Sequence, residues 1–338
     1  MAASCVRDVE AAFLDAVTAL CPGFRARGEP SYTETSMLLR GALDGRAVIA
    51  KYPVDRRPFW LARARHEITV YRALPALAPL PVTVPDIVAA DPMHPLIVMT
   101  ALDGEPVHPH RYPNGTIHTE QLGAVLSLLA HVHAWRPAMS SALPYDDDYP
   151  SQLAAVRGPE ISDIEHSCAV ELYTAICGRL GVEIQHGDAH LGNVIRQPDG
   201  RLALIDLEFT AWRWPSYDLA MLWVLLGDSP SMRKQLISRI GRAAERHAAF
   251  WCSTVLVCLR EITSHRRGPQ NATRRTRAER LQCDLVVALD HVETYHRQIV
   301  WAQTHHTTTS GGPDATPAPS NQRLLRLRPR HSSRPDLH

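Results

Sequence analysis

Residues 185–208, QHGDAHLGNVIRQPDGRLALIDLE, hold the side chains of this chain whose types and spacing are best suited to chemistry. Two short apolar runs flank a Gln-Pro-Asp-Gly turn at 197–200, a hairpin pattern. A hairpin returns its two ends to the same side. Asn193, at the mouth of the first strand, and Asp206, at the end of the second, should therefore be neighbours, with Asp188 on the loop just before them. Three oxygen-bearing side chains at one open edge suit Mg²⁺, a hard cation that keeps waters and substrate phosphates as its other ligands. The chemistry indicated is phosphoryl transfer. The group in flight is strongly anionic, the protein positions and neutralises it, and a carboxylate orients the attacking hydroxyl and takes its proton.

Such a site also needs a cation on the phosphate side. Lysine occurs only at 51 and 234, against 34 arginines. Lys51 closes the apolar run RAVIAK and precedes a helical segment carrying Glu67. An ammonium is a compact point charge suited to phosphate oxygens, and a nearby acid can hold it in place. The spacing Asp188-x-x-x-x-Asn193 equals that of the protein-kinase catalytic loop.

The elements that must position these groups follow from periodicity. Residues 5–21 have helical spacing, and 37–43 and 46–52 are apolar runs around Asp44-Gly45, a strong hairpin signal. Leu61, Ala64, Ile68, Tyr71 and Leu74 recur at three and four residues, which predicts a helix over 57–74. Strands are expected at 84–91 and 95–102, after which Asp103-Gly104-Glu105-Pro106 breaks the chain. Beyond 118 the pattern is helical at 120–135, 164–180, 231–262 and 279–302, interrupted by the hairpin. The Thr/Ser/Pro/Gly-rich residues 303–338 lack periodicity and are expected to be disordered.

HGDAHLGN, then IDLE, then SYDLA at 216–220, resembles the aminoglycoside phosphotransferase family, small-molecule kinases that include choline-kinase-type members; the likeness covers roughly 24–300. The resemblance implies an α+β, two-lobed protein-kinase-like fold. A helix and nucleotide-binding N-lobe with a mostly antiparallel sheet would occupy 1–102, and a mainly helical C-lobe with the acceptor site 103–302. It implies Asp188 as the catalytic base, His186 as a brace of the catalytic loop, His190 beside the site, and Asn193 and Asp206 as Mg²⁺ ligands. Lys51 would pair with the α/β-phosphates of ATP or GTP, Glu67 would hold Lys51, and Asp218 would support the loop. Met99 and Ala101 lie where the hinge would meet the nucleotide. No Gly-x-Gly-x-x-Gly loop precedes Lys51; GEPSYT at 28–33 is the substitute, with Ser31 and backbone N–H groups capping the phosphates. Trp212-Arg213-Trp214 departs from the family's usual small, acidic segment and is expected to shape the acceptor pocket. The acceptor is expected to be an aminoglycoside, another antibiotic or an amino sugar, with choline-, homoserine- or sugar-type metabolic kinases as alternatives.

Composition narrows the remaining readings. No run of eighteen apolar residues exists, so no membrane span is expected, and the early acids of the N-terminus do not fit a secretory signal. The seven cysteines form no CxxC pair and suggest reduced, mostly buried thiols of a cytoplasmic protein. Residues 1–259 hold 23 Lys+Arg against 28 Asp+Glu, whereas 260–280 hold seven Arg against two Glu. That local basicity argues against nucleic acid as a partner and suggests an exposed loop between helices at 266–280. Asp146-Asp147-Asp148 is taken as solvated, and Trp135, Trp223 and Trp251 as core. The HxDxH alternation at 186–190 would fit a metallohydrolase only if further histidines joined it, with His131 and His133 available. A nucleotide-binding pseudokinase conflicts with the intact Lys51, Glu67, Asp188, Asn193 and Asp206 set.

Overall fold

A computed structural model describes residues 3–113, 117–137, 143–146, 148–267 and 271–301; the predicted tail at 303–338 lies outside them. The chain opens with helix α1 (Ala3–Leu20) and the short strands β1 (Arg25–Ala26) and β2 (Ser31–Tyr32). The predicted hairpin forms as β3 (Ser36–Leu43) and β4 (Arg46–Pro53), with Asp44 and Gly45 both at positive φ. Helix α2 (Pro58–Ala73) begins with proline at its first turn, where the missing N–H costs nothing. Strands β5 (Ile87–Asp91) and β6 (Leu96–Thr100) complete an antiparallel sheet of order β1-β3-β4-β6-β5, with β2 on β3.

The period-2 alternation of these strands gives the sheet two apolar faces. Met37, Leu39, Val48, Ala50, Leu96 and Val98 pack against Phe13 and Val17 of α1 and Cys21 just after it. The opposite parity of β6, Ile97 and Met99, joins Ile68, Val70 and Tyr71 of α2 in the cluster that continues into the C-terminal half. One face thus belongs to the N-terminal unit, and the other ties it to the rest of the protein.

The crossing runs through Gly104 into β7 (Glu105–Pro106), then α3 (Thr119–Ala134), α4 (Tyr149–Val156) and α5 (Asp163–Leu180). A capping box of Ser162 and Glu165 starts α5. Strand β8 (Glu183–Gln185), the hairpin β9 (Val194–Arg196) and β10 (Leu202–Leu204), and β11 (Ala211–Arg213) follow. They form two small sheets, β10-β9-β7 and β11-β8. Helix α6 (Tyr217–Leu225) is buried at all nine residues and packs on α7 (Pro230–Ser238) and α8 (Ala244–Arg267), while α9 (Ala272–His296) packs on α8 and α5. No helix of the described residues is long and apolar enough to cross a membrane.

Several expectations need correction. The helix predicted over 231–262 is two helices, because the chain turns at 239–243 around Gly241. The arginine-rich stretch is not a loop throughout: Arg266 and Arg267 end α8, and residues 268–270 lie outside the described residues. Asn271 caps α9 by accepting from the Arg274 N–H, so 272–280 is helical. Asp148 caps α4 by accepting from Ser151, and Asp146 pairs with the buried Arg213, so neither is merely solvated; Asp147 lies outside the described residues. Trp212 and Trp214 do not line a pocket. β11 pairs with β8, and both indoles are buried, Trp214 edge-on to Tyr149 and Tyr173. Of the described cysteines, Cys21, Cys252 and Cys258 are buried while Cys177 and Cys283 are exposed, and all six are free thiols.

Gly104 has φ 126°, and a Cβ there would sit 2.1 Å from the Arg196 carbonyl oxygen. A side chain would both strain the backbone and push β7 off β9. Gly104→Ala is expected to destabilise the protein by about 1–3 kcal/mol, measured as a lower midpoint in urea unfolding.

Candidate active site

The catalytic loop is held from below by one buried acid. Asp218, in the first turn of α6, accepts the backbone N–H groups of His186 and Gly187, both at 2.8 Å, and pairs with His133 Nε2 at 2.9 Å. Burial alone would raise its pKa, but His133 and the Gly187 N–H outweigh that and hold it below the usual carboxylate range. Gly187 has φ 82°, and a Cβ there would meet the Phe209 carbonyl oxygen at 2.3 Å, so only glycine lets the loop pass this close to the turn after Asp206. His186 is buried and its Nε2 bonds to the Ile205 carbonyl oxygen at 2.9 Å, so Nδ1 accepts from the Asp188 N–H at 3.3 Å. Asn193 Nδ2 donates to the Asp188 carbonyl oxygen at 3.0 Å, which leaves its amide oxygen to face a cation. The Ile205 N–H donates to the Asn193 carbonyl oxygen at 3.1 Å, closing the hairpin as its turn requires.

Asp206 itself sits in the left-handed region (φ 66°, ψ 63°), a conformation that costs a non-glycine residue about 1–3 kcal/mol. The short 3₁₀ turn after it, Leu207–Phe209, brings Glu208 round to the same side. Lys51 Nζ then lies 2.6 Å from Asp206 Oδ1, 2.8 Å from Glu67 Oε2 and 3.2 Å from Glu208 Oε2. Burial would strip the ammonium of its proton, but Asp206, Glu67 and Glu208 outweigh it and hold Lys51 well above its ordinary range.

One ammonium does not balance three carboxylates. Glu67 is buried, its Oε1 has no hydrogen-bond partner, and its pKa is pushed up to about 8, by burial first and by the repulsion of Asp206 and Glu208. Glu208 is raised too, by burial first and by the repulsion of Asp206 and Asp188. One oxygen each from Glu67, Asp206 and Glu208 lie within 4.8 Å of one another. A surplus of negative charge on hard oxygen donors, with the Asn193 amide adjoining, fits a divalent cation such as Mg²⁺. Glu208 was not singled out in the sequence; the acidic end of IDLE was its only signal.

Asp188 is buried with a partner that the sequence did not announce. Arg111 Nη1 donates to its two carboxylate oxygens at 2.7 and 3.0 Å, and Arg111 Nη2 donates to Glu261 Oε1 of α8 at 2.8 Å. Burial would raise the Asp188 pKa, but Arg111 and His190 outweigh it and hold it below the usual carboxylate range. His190 Nε2 lies 3.7 Å from Asp188 Oδ2, and its Nδ1 accepts from the Gly192 N–H. Arg111 and Glu261 lie 150 residues apart on a loop and a helix, so no spacing could reveal them.

Other expected contacts are placed differently. The Ser31 hydroxyl bonds the Leu38 carbonyl oxygen of the adjoining strand at 3.4 Å; it is Tyr32, Thr33 and Glu34 that face the open space. Met99 is buried within β6. The Ala101 N–H is taken by the Ala47 carbonyl oxygen at 2.9 Å, so it is not the hinge donor that meets a nucleobase. His131 is exposed and His133 serves Asp218, so no histidine cluster forms around HxDxH among the described residues.

Because Glu67 has a raised folded pKa, its stabilising share is complete below its unfolded value near 4.5 and is lost as pH rises through about 8. Glu67→Gln should therefore gain melting temperature relative to the parent protein as pH goes from 5 to 8 without divalent cation. Parallel curves across that range would contradict the assignment.

Residues 33–251 match the model of the phosphotransferase enzyme family named APH. No curated protein matches the chain. Among solved structures, choline kinase LicA from Streptococcus pneumoniae superposes with TM-score 0.55 at 15% identity, over 83% of this chain and 99% of that one. Macrolide 2'-phosphotransferase MphH from Brachybacterium faecium gives 0.52 at 19% identity, over 80% and 98%. A GDP and kanamycin complex of APH(2")-IIia gives 0.56 at 12% identity, over 84% and 98%. These likenesses establish a kinase-like fold across most of the described residues.

Proposed function

Since the chain belongs to the APH phosphotransferase enzyme family, we propose that it moves the γ-phosphate of ATP or GTP to a hydroxyl group of a small molecule, using Mg²⁺, Lys51, Asp188, Asn193, Asp206 and Glu208. The observation that carries this reading is Lys51. It comes from the N-terminal sheet, and it reaches Glu67 on α2 and Asp206 on the catalytic hairpin at hydrogen-bond distance. A phosphate-binding cation is thereby fixed across the crevice from a cation-binding acid, with Asp188 on the loop between.

In the reaction, Asp188 accepts the proton of the acceptor hydroxyl as that oxygen bonds to the γ-phosphorus. The bond from the γ-phosphorus to the β-phosphate bridging oxygen breaks, and the nucleoside diphosphate leaves. Lys51 neutralises phosphate charge, and Glu67 keeps its ammonium from swinging away. Asn193, Asp206 and Glu208 would hold Mg²⁺, which when bound supplies charge neutralisation at the phosphates. His186 fixes the loop rather than touching substrate, and His190 borders the base. The hinge contacts to the nucleobase fall after Ala101, whose N–H is committed to the sheet. Free thiols fit the cytoplasmic setting in which nucleoside triphosphates are available.

Replacing Asp188 with Ala should lower turnover by about 100-fold or more, with nucleotide affinity retained in calorimetry. Full residual activity would remove Asp188 from the role of base. Asp206→Ala should abolish the Mg²⁺ dependence of nucleotide binding, and an unaltered dependence would refute its ligand role.

A further inference from the structure

Beside the base lies a cavity of about 610 Å³ whose lining includes Tyr32, Glu34, His110, Arg111, Tyr112 and Arg277. It opens between the turn after β2 and the segment preceding α3, with α9 as a wall, and Arg111 connects it directly to Asp188. It is therefore where an acceptor would approach the proposed reaction. Its charge is unlike what a polycation needs. Glu34 is the only acid in the lining, and its carboxylate is held by Arg274 at 2.9 Å. Arg277 pairs with no carboxylate among the described residues and instead lies over the Tyr112 ring, 4.6 Å from its centroid. Tyr112 is fixed in turn, its hydroxyl donating to Glu261 and bonding His265 Nε2 at 2.9 Å. Arg280 stands over the same ring at 5.6 Å.

Resting on the phosphotransfer reading above, we propose that the acceptor is an anionic hydroxyl compound, bearing a carboxylate or phosphate that Arg277 and Arg111 recognise. A guanidinium presents a planar fork of N–H donors that matches either group. Arg111 adds a reason for this selectivity to act on catalysis. As it stands, Arg111 occupies both carboxylate oxygens of Asp188, at 2.7 and 3.0 Å, where the acceptor hydroxyl would have to bond. An anionic acceptor offers Arg111 an alternative partner and so frees Asp188 to take the hydroxyl proton. A cationic acceptor offers none and is repelled by Arg277. The bonds made and broken are those of the phosphoryl transfer already described, and the acceptor's acid group is unchanged.

The test uses the full chain with saturating MgATP and reads ADP release. The acceptor panel is matched by charge: glycerate and glycerol 3-phosphate as anions, ribose as neutral, choline and kanamycin as cations. The anions should accelerate ADP release at least tenfold more than the cations. Arg277→Gln should raise the KM for the stimulating anion about tenfold with kcat within threefold, and Arg277→Lys should recover part of the loss. MgATP affinity measured on each variant reports that it is folded. Stimulation by choline or kanamycin equal to that by the anions, no stimulation by either anion, or an anion KM unmoved in Arg277→Gln overturns the inference. The phosphotransfer reading is judged apart from it: if MgATP binds and its metal dependence needs Asp206, that reading survives a failed anion test, whereas absence of MgATP binding ends both.

Discussion

Three carboxylates gathered around one ammonium set the terms for the crevice. Glu67 comes from a helix on the N-terminal sheet, while Asp206 and Glu208 come from the catalytic hairpin and its following turn. Like charges at this separation in a buried place repel, and Lys51 compensates only part of that repulsion. The arrangement persists because each acid is mounted on an element fixed by other contacts. Its residual negative charge is what suits the crevice to the proposed divalent cation. Removing any one carboxylate would relieve repulsion and weaken cation binding together, which is a stability–function trade common to such sites.

The rigidity that makes this possible is supplied by Asp218. By accepting two consecutive backbone N–H groups it holds the catalytic loop against α6, the most deeply buried helix of the protein. Buried charge is expensive unless fully hydrogen-bonded, and here His133 and the two N–H groups satisfy it. The left-handed Asp206 and the glycine at 187 show the same economy at backbone level: neither conformation is locally favourable, and both are imposed by tight packing of loop against turn.

The cavity proposed to take the acceptor is organised differently, by arginine. Most of the stretch that sequence patterning assigned to an exposed loop, residues 272–280, opens α9, and its guanidinium groups are used for ion pairing, for stacking on Tyr112 and for lining the cavity. Arginine side chains suit this because their charge persists when buried and their planar faces pack on aromatic rings. Likewise, Asp148 is drawn into capping α4 and Asp146 into a pair with buried Arg213. In both cases charges that are usually solvated became structural, through a local cap at Asp148 and through distant partners at Asp146 and Arg274.

Local pattern was enough for much of this protein. The Asp44-Gly45 turn, the periodic apolar residues of α2, the hairpin at 193–206 and the Lys51–Glu67 pairing are each governed by short-range geometry or a spacing tied to one chemistry, so residue order alone determined them. The breaks at 239–243 and the existence of α4 were less legible, because one glycine or one capping aspartate competes with helical periodicity and only packing decides the outcome. What tertiary structure alone decided is the company each charge keeps: Glu208 turning back onto Lys51, Arg111 spanning Asp188 and Glu261, and Arg277 facing a cavity whose one lining acid, Glu34, is held by Arg274. The first two join residues 77 to 157 positions apart. No periodicity extends that far, and electrostatic energy depends on distance in space, not on distance along the chain.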